Sequence, residues 1–164
     1  MGSGKSTVGR LVAAELNLRF VDMDRLIEER EHRSVGDIFQ KDGERRFREI
    51  EHHLVRELSE QQGLVIATGG GVILNPENVE RFSRSAVVIG LRVDGATAFA
   101  RTKTHGHRPL LKTQNPLESI GQLLEERGPL YEALPHVVES SNRSAAEVAL
   151  DVVEIYLEQV AGPH

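Results

Sequence analysis

Cysteine is absent from all 164 residues, which removes disulfides, thiolate nucleophiles and Cys-ligated zinc together and suits a reducing compartment. No run approaches the ~18 consecutive apolar residues of a membrane span, and no apolar stretch of signal-peptide length follows a basic start. A soluble, cytoplasmic protein with no membrane partner is therefore expected. Net positive charge is lacking too: 20 Lys and Arg stand against 25 Asp and Glu, a formal charge of −5. Neutralising nucleic-acid phosphates takes a basic face, so nucleic acid is not an expected partner. There is no repeat, low-complexity tract or linker. A chain of this length buries roughly two-thirds of its unfolded surface, enough for a core of its own, and 1–164 reads as one domain.

What is present begins at once, with Gly2-Ser3-Gly4-Lys5-Ser6-Thr7. Gly4, Lys5 and Ser6 fill the last three places of the phosphate-binding loop G-x-x-x-x-G-K-[ST]. In that loop backbone N–H groups curl around nucleotide phosphates, the Lys reaches the outer two, and the next hydroxyl ligands Mg²⁺. The pattern's first Gly falls two positions ahead of Met1, together with the buried strand that delivers the loop. The expectation is a sheet with a gap where that strand belongs.

Behind the loop, apolar strands alternate with amphipathic helical stretches, the mark of an α/β fold on a parallel sheet. Val8, Leu11, Val12 and Leu16 give residues 5–16 a helical spacing. Strands are predicted over 19–23, 64–68, 86–93 and 136–139, which are short and rich in Val and Ile. Ser34 caps a short helix, Gly43 opens a longer one to Leu58, Pro76 begins another, and Asp94 caps a stretch to Arg101. Two last helices are predicted over 117–134 and 145–160. Residues 102–115 carry Lys, Arg, His, Gly and Pro without apolar periodicity and read as an exposed, mobile loop.

Several segments are able to carry chemistry. Asp22 and Asp24 stand two apart at the end of a predicted strand, on one side of its pleat, where α/β folds bind ligands. One carboxylate can hold Mg²⁺ while the other accepts a proton from a substrate hydroxyl; equally, Asp24 can simply cap the helix that follows. Arg48 and Glu51 are three apart on one helix face, so one carboxylate can hold one guanidinium. Arg45, Arg46 and Glu49 read as solvated pairs. Gly69-Gly70-Gly71 directly after a buried strand lets a ligand approach bare backbone, and a plain flexible turn is the weaker reading. In the basic loop, Arg108 can meet a transferring phosphoryl group in cis. His105 and His107 have no carboxylate or Cys at ligand spacing, so a metal is not expected there. Arg127 reads by spacing alone as a helix-surface residue.

Taken in order, Gly-x-Gly-Lys-Ser-Thr, Asp-x-Asp, Gly-Glu-x-x-Phe-Arg-x-x-Glu, Thr-Gly-Gly-Gly, Arg-Pro-Leu-Leu and Arg-x-Pro-Leu-Tyr resemble the shikimate kinase family over nearly the whole chain. The resemblance implies a P-loop kinase of three layers around a central parallel sheet in the order 2-3-1-4-5, with its first strand and first loop Gly missing here. It implies ATP-dependent phosphorylation of shikimate to shikimate 3-phosphate, in chorismate and aromatic amino-acid biosynthesis, by a monomer using Mg²⁺. Gly2, Ser3, Gly4, Lys5, Ser6 and Thr7 would hold ATP phosphates, with Ser6 and Asp22 on Mg²⁺. Arg101 and Arg143 would border adenine, and Arg108 would stabilise charge during transfer. Asp24, Arg48, Gly69, Gly70, Gly71 and Arg127 would bind shikimate, with Glu51 orienting Arg48. The substrate-binding region would span about 24–61 and the lid about 102–115. The alternatives are a gluconate-kinase-like or nucleoside monophosphate kinase, and a non-catalytic homologue that binds nucleotide or shikimate.

Overall fold

Helix α1 (Lys5–Glu15) starts from Gly4, whose φ of 87° and ψ of 15° lie in the left-handed region that a side chain disfavours. The computed structural model describes residues 2–103 and 116–162. Strand β1 (Arg19–Asp22) follows and is turned into α2 (Met23–Glu31) by the Asp22 carboxylate, which accepts the Arg25 N–H at 3.3 Å. Asp22 is therefore the cap. Asp24 lies in the first turn of α2, so helix geometry and not strand alternation aims its carboxylate, correcting the pleat expectation.

Ser34 opens α3 (Val35–Ser59) by accepting the Asp37 N–H at 3.0 Å, and the helix kinks at Gly43 (φ 82°, ψ 166°) into the two arms expected there. Strand β2 (Leu64–Ala67) runs into the glycine turn, a short 3₁₀ turn (Val72–Leu74) and α4 (Pro76–Ser85), capped by Asn75. Strand β3 (Ile89–Arg92) is shorter than the expected 86–93 because Ala86 N–H still bonds Phe82 O at 2.8 Å and so finishes α4. Asp94 accepts the Thr97 N–H at 2.7 Å and starts α5 (Gly95–Lys103), two residues longer than expected. Helix α6 (Pro116–Glu132), strand β4 (His136–Glu139) and α7 (Ala145–Ala161) complete the chain. A reciprocal capping box between Ser144 and Glu147 opens α7. From residue 104 on, the expected lid lies outside the described residues, and Arg108 with it.

The strands form two parallel pairs. Arg19 lies opposite Leu64 and Asp22 opposite Ala67; Ile89 lies opposite His136 and Arg92 opposite Glu139. Among the described residues β2 and β3 share no ladder. In a parallel ladder, alternate residues point their N–H and C=O groups to opposite neighbours. Gly63 gives its carbonyl to Arg19, so Leu64 and Ile66 aim theirs away from β1; Arg92 gives its carbonyl to Ser140, so Ile89 and Leu91 aim theirs away from β4. Between these edges lies a cavity of about 450 Å³, lined by β2, β3, Val8 and Val12 and reaching Lys5 and Gly69 at one end.

Two apolar clusters flank the slot. Met23, Ile27, Ile38, Phe47, Val55 and Phe82 join α2, α3 and α4, while Val8, Val12, Leu91, Val138 and Val148 join α1 and α7 to β3 and β4. Each fully buried side chain of this size contributes about 1.5–3 kcal/mol. Along α3 the buried stripe reads Phe47, Leu54, Val55, Leu58, at helical spacing, and Glu51 falls within it.

Candidate active site

Asp22 ends β1, Asp24 follows it and the glycine turn follows β2, so both segments lie at the carboxyl ends of parallel strands, where open α/β sheets bind ligands. The site has two ends. At the first, Ser6 Oγ donates to Asp22 Oδ2 at 2.6 Å, joining the hydroxyl after the loop Lys to the last carboxylate of β1. Two hard oxygen ligands at one place fit Mg²⁺, which takes one or two protein oxygens and completes its shell with phosphate and water. Lys5 Nζ donates to the buried Ser3 Oγ at 3.2 Å. The turn from Gly2 to Thr7 thus leads into the N-terminus of α1, with Ser6 as its link to Asp22 and Lys5 folded back onto Ser3.

Arg101 ties this end to the loop after β4. Its Nη2 donates to Ser140 O at 2.8 Å and Arg143 O at 3.1 Å, and its Nη1 reaches Gly2 O at 3.4 Å. The structure thus brings Arg101 and the Arg143 backbone together. The Arg143 guanidinium points elsewhere, onto Asp151 at 2.7 and 3.1 Å. Ser140, which the sequence reading missed, is buried and donates to Arg92 O at 2.8 Å. The signal available was weak: a small hydroxyl residue just past a strand's carboxyl end.

At the second end, α3 presents Arg48. Its Nη1 donates to Glu51 Oε2 at 2.8 Å and its Nη2 to Glu44 Oε1 at 3.0 Å, while the guanidinium lies 5.3 Å from the Phe47 ring centroid and 5.9 Å from that of Phe39. The i,i+3 pairing expected of Arg48 and Glu51 is present. Glu51 is 1% exposed, and burial pushes its carboxyl above the usual range, against the opposing pull of Arg48 and with a further push from the Asp24 carboxylate. Burial lowers Arg48, but the carboxylates of Glu51 and Glu44 together outweigh it and hold the guanidinium above its usual value. Arg45 and Arg46 form exposed pairs with Glu49 at 3.7 and 3.4 Å, as the sequence suggests.

The glycine turn is pressed against these charges. A Cβ at Gly71 would collide with the Arg48 guanidinium, and one at Gly69 would lie 2.8 Å from Glu51 Oε1 and 2.9 Å from Asp24 Oδ1. Only residues without side chains allow that approach. From α6, Arg127 Nη1 donates to Gly70 O at 3.0 Å, so this arginine turns inward and is not the surface residue that spacing alone suggests. Glu51 Oε1 and Arg127 Nε are buried with no protein hydrogen-bond partner among the described residues. One acceptor and one donor are thereby left for a hydroxylated anion.

A turn at Gly4-Lys5-Ser6 opening a helix, a carboxylate against its hydroxyl, and a separate basic cradle stand together at these strand ends. The fold alone extends to deoxyadenosine kinase from M. mycoides with bound dCTP: TM-score 0.56, 16% identity, 94% of this chain and 95% of that one covered. Nearer likeness decides the family. The shikimate kinase family model matches residues 1–157. Shikimate kinase of Vibrio parahaemolyticus is 42% identical over 160 residues, covering 97% of this chain and 93% of that one. That of Thermodesulfovibrio yellowstonii is 40% identical over 156 residues, 95% and 90% of the two chains. Shikimate kinase from Acinetobacter baumannii in complex with shikimate superposes with a TM-score of 0.91 at 35% identity, covering 96% of this chain and 88% of that one. The chain belongs to the shikimate kinase family.

Proposed function

We propose that this chain transfers the γ-phosphoryl group of ATP to a hydroxyl of shikimate, giving shikimate 3-phosphate and ADP. The observation that carries this reading is the cradle at Gly69–Gly71, where Arg48 and Arg127 come in from separate helices onto bare backbone beside the Asp24 and Glu51 carboxylates. Two guanidiniums suit a carboxylate, which accepts forked hydrogen bonds, and carboxylates suit the hydroxyls on the opposite side of the ring. Such a cradle tells the two ends of a carboxylated polyol apart. Gluconate-kinase-like and nucleotide acceptors match it less well.

With the substrate carboxylate on Arg48 and Arg127, one hydroxyl is left near Asp24 and the phosphate loop. Asp24 takes the hydroxyl proton as the oxygen bonds to the γ-phosphorus, and the bond to the bridging oxygen of ADP breaks. Glu51 holds Arg48 in line. Lys5 and the amides of Gly2–Thr7 keep the phosphates in place, Arg101 and the loop at Arg143 border the base, and Arg108 meets the charge of the transferring group. Mg²⁺ on Ser6 and Asp22 would neutralise phosphate charge. Catalysis is then mostly positioning and charge stabilisation, with no covalent intermediate. The acceptor-binding region of about 24–61 and a cytoplasmic monomer belong to the same reading. Among the described residues no helix is long and apolar enough to cross a membrane.

A coupled ADP-release assay with shikimate, gluconate and AMP as acceptors tests it. ADP release only with shikimate is expected. Equal release with gluconate or AMP would overturn the acceptor assignment, and nucleotide binding without any release would leave a non-catalytic homologue.

A further inference from the structure

We propose that His52 and Asn78 form a positioning pair that fixes the glycine turn over Arg48 and thereby sets acceptor affinity; the second half of this statement rests on the acceptor reading above. Asn78 lies in the first turn of α4 and is only 2% exposed, although it touches neither end of the site. Burying an amide costs free energy unless its hydrogen bonds are made. Its Oδ1 lies 2.7 Å from His52 Nδ1, and its Nδ2 lies 3.5 Å from Val72 O, just past the glycine turn. An amide oxygen can only accept, so this bond requires the hydrogen on Nδ1. On the other side of the ring, Nε2 is 3.8 Å from the Glu77 carboxylate.

The pair links the parts that matter. His52 is four residues beyond Arg48 and one beyond Glu51, on the same stretch of α3. Val72 N–H in turn donates to Gly69 O at 3.3 Å, so Asn78 reaches the glycine turn through a single residue. Arg127 grips the turn at Gly70 O from α6, and His52 with Asn78 tether its far end to the helix that carries Arg48. A shift of the turn toward or away from α3 would change the space between bare backbone and guanidinium, where the acceptor carboxylate binds. Neither residue contacts the phosphate loop in any hydrogen bond described, so the donor end should not feel the change.

Steady-state kinetics on Asn78→Leu, His52→Phe, the double variant and His52→Asn tests this. Each of the first two should raise the acceptor KM roughly tenfold, the order of one net hydrogen bond, with kcat and the ATP KM within about twofold. The double variant should be no worse than either single one, the signature of one shared interaction. His52→Asn places an amide N–H where Nδ1–H was and should recover most of the loss. Hydrogen exchange over residues 69–75 should quicken in Asn78→Leu and His52→Phe, stay near wild type in His52→Asn, and be unchanged in α7 throughout. Equal rises in both KM values, an additive double variant, or unchanged exchange over 69–75 would overturn the proposal. A wild-type chain that binds ATP but releases no ADP with shikimate would sink the acceptor reading instead, and the exchange data would then decide the pair alone.

Discussion

The donor and acceptor ends of the site are built from different materials. At the donor end the recognition elements are backbone N–H groups of a glycine-rich turn, one helix N-terminus, and short contacts such as Ser6 to Asp22. At the acceptor end they are long side chains already engaged in the protein: Arg48 between Glu51 and Glu44, and Arg127 on Gly70 O. On the proposed reading phosphates are recognised by main-chain dipoles that any sequence supplies once the turn is made. On the same reading the acceptor is recognised by guanidiniums whose ordering cost is met during folding, which leaves more of the interaction energy for binding. Substitutions should therefore separate the two ends cleanly.

The sharpest separation is expected from Arg108→Ala, which should lower turnover by roughly 10³-fold while ATP affinity changes little, because on the proposed reading the arginine meets charge mainly in the transition state. Rapid-mix turnover with parallel nucleotide titration checks it, and wild-type turnover would remove Arg108 from the donor end. Next come Arg48→Ala and Arg127→Ala. Each should weaken shikimate binding by about 2 kcal/mol or more, the worth of a charged donor, and spare ATP. Calorimetric titration of both ligands decides, and an equal ATP defect would erase the distinction between the ends.

Glu51→Gln should raise the acceptor KM by a smaller factor, roughly tenfold, because Arg48 loses its buried charged partner and keeps only the exposed Glu44. Its effect on stability runs the other way. Burial raises the Glu51 carboxyl, so the folded chain binds that proton more tightly than the unfolded one. The contribution of Glu51 is thus favourable below the ordinary carboxylate range and is lost as pH rises through the elevated value. The melting temperature of Glu51→Gln should gain on wild type as the pH rises from about 4. A gap that shrinks with rising pH would show that Arg48 dominates Glu51. The smallest effect is expected from Gly121→Ala in α6, where a Cβ meets nothing within 4 Å. About 0.5–1 kcal/mol of added stability, read as a rise of a few degrees in Tm with both KM values unchanged, would mark the background against which the two ends are compared.

Much of this frame is legible in the sequence because its signals are local. Ser34, Pro76 and Asp94 stand at helix starts for reasons contained within four residues, and β2 announces itself by adjacent Val65 and Ile66. Asp24 shows where local reasoning slips, since one residue of difference in the end of β1 moves it from a pleat into a helix turn. Glu51 carries a signal of its own: a carboxylate inside the apolar stripe Phe47, Leu54, Val55, Leu58 has to be buried, and hence paired. Arg127 gives no such sign. Its contact with Gly70 spans 57 residues, and nothing in the surrounding helix spacing separates an inward guanidinium from an outward one. The same holds for His52 and Asn78, 26 residues apart on different helices.

The nearness of charge to bare backbone at the glycine turn also has a consequence for heredity. Every missense change in a glycine codon adds at least one carbon. At Gly71 that carbon falls on the Arg48 guanidinium and at Gly69 between two carboxylates, whereas Gly121 and Gly128 have open space around them. Equal mutation rates would thus yield unequal survival. In a randomised library selected for growth, positions 121 and 128 should drift while positions 69 and 71 return as glycine, because a single methyl group there displaces the charges of Arg48, Glu51 and Asp24.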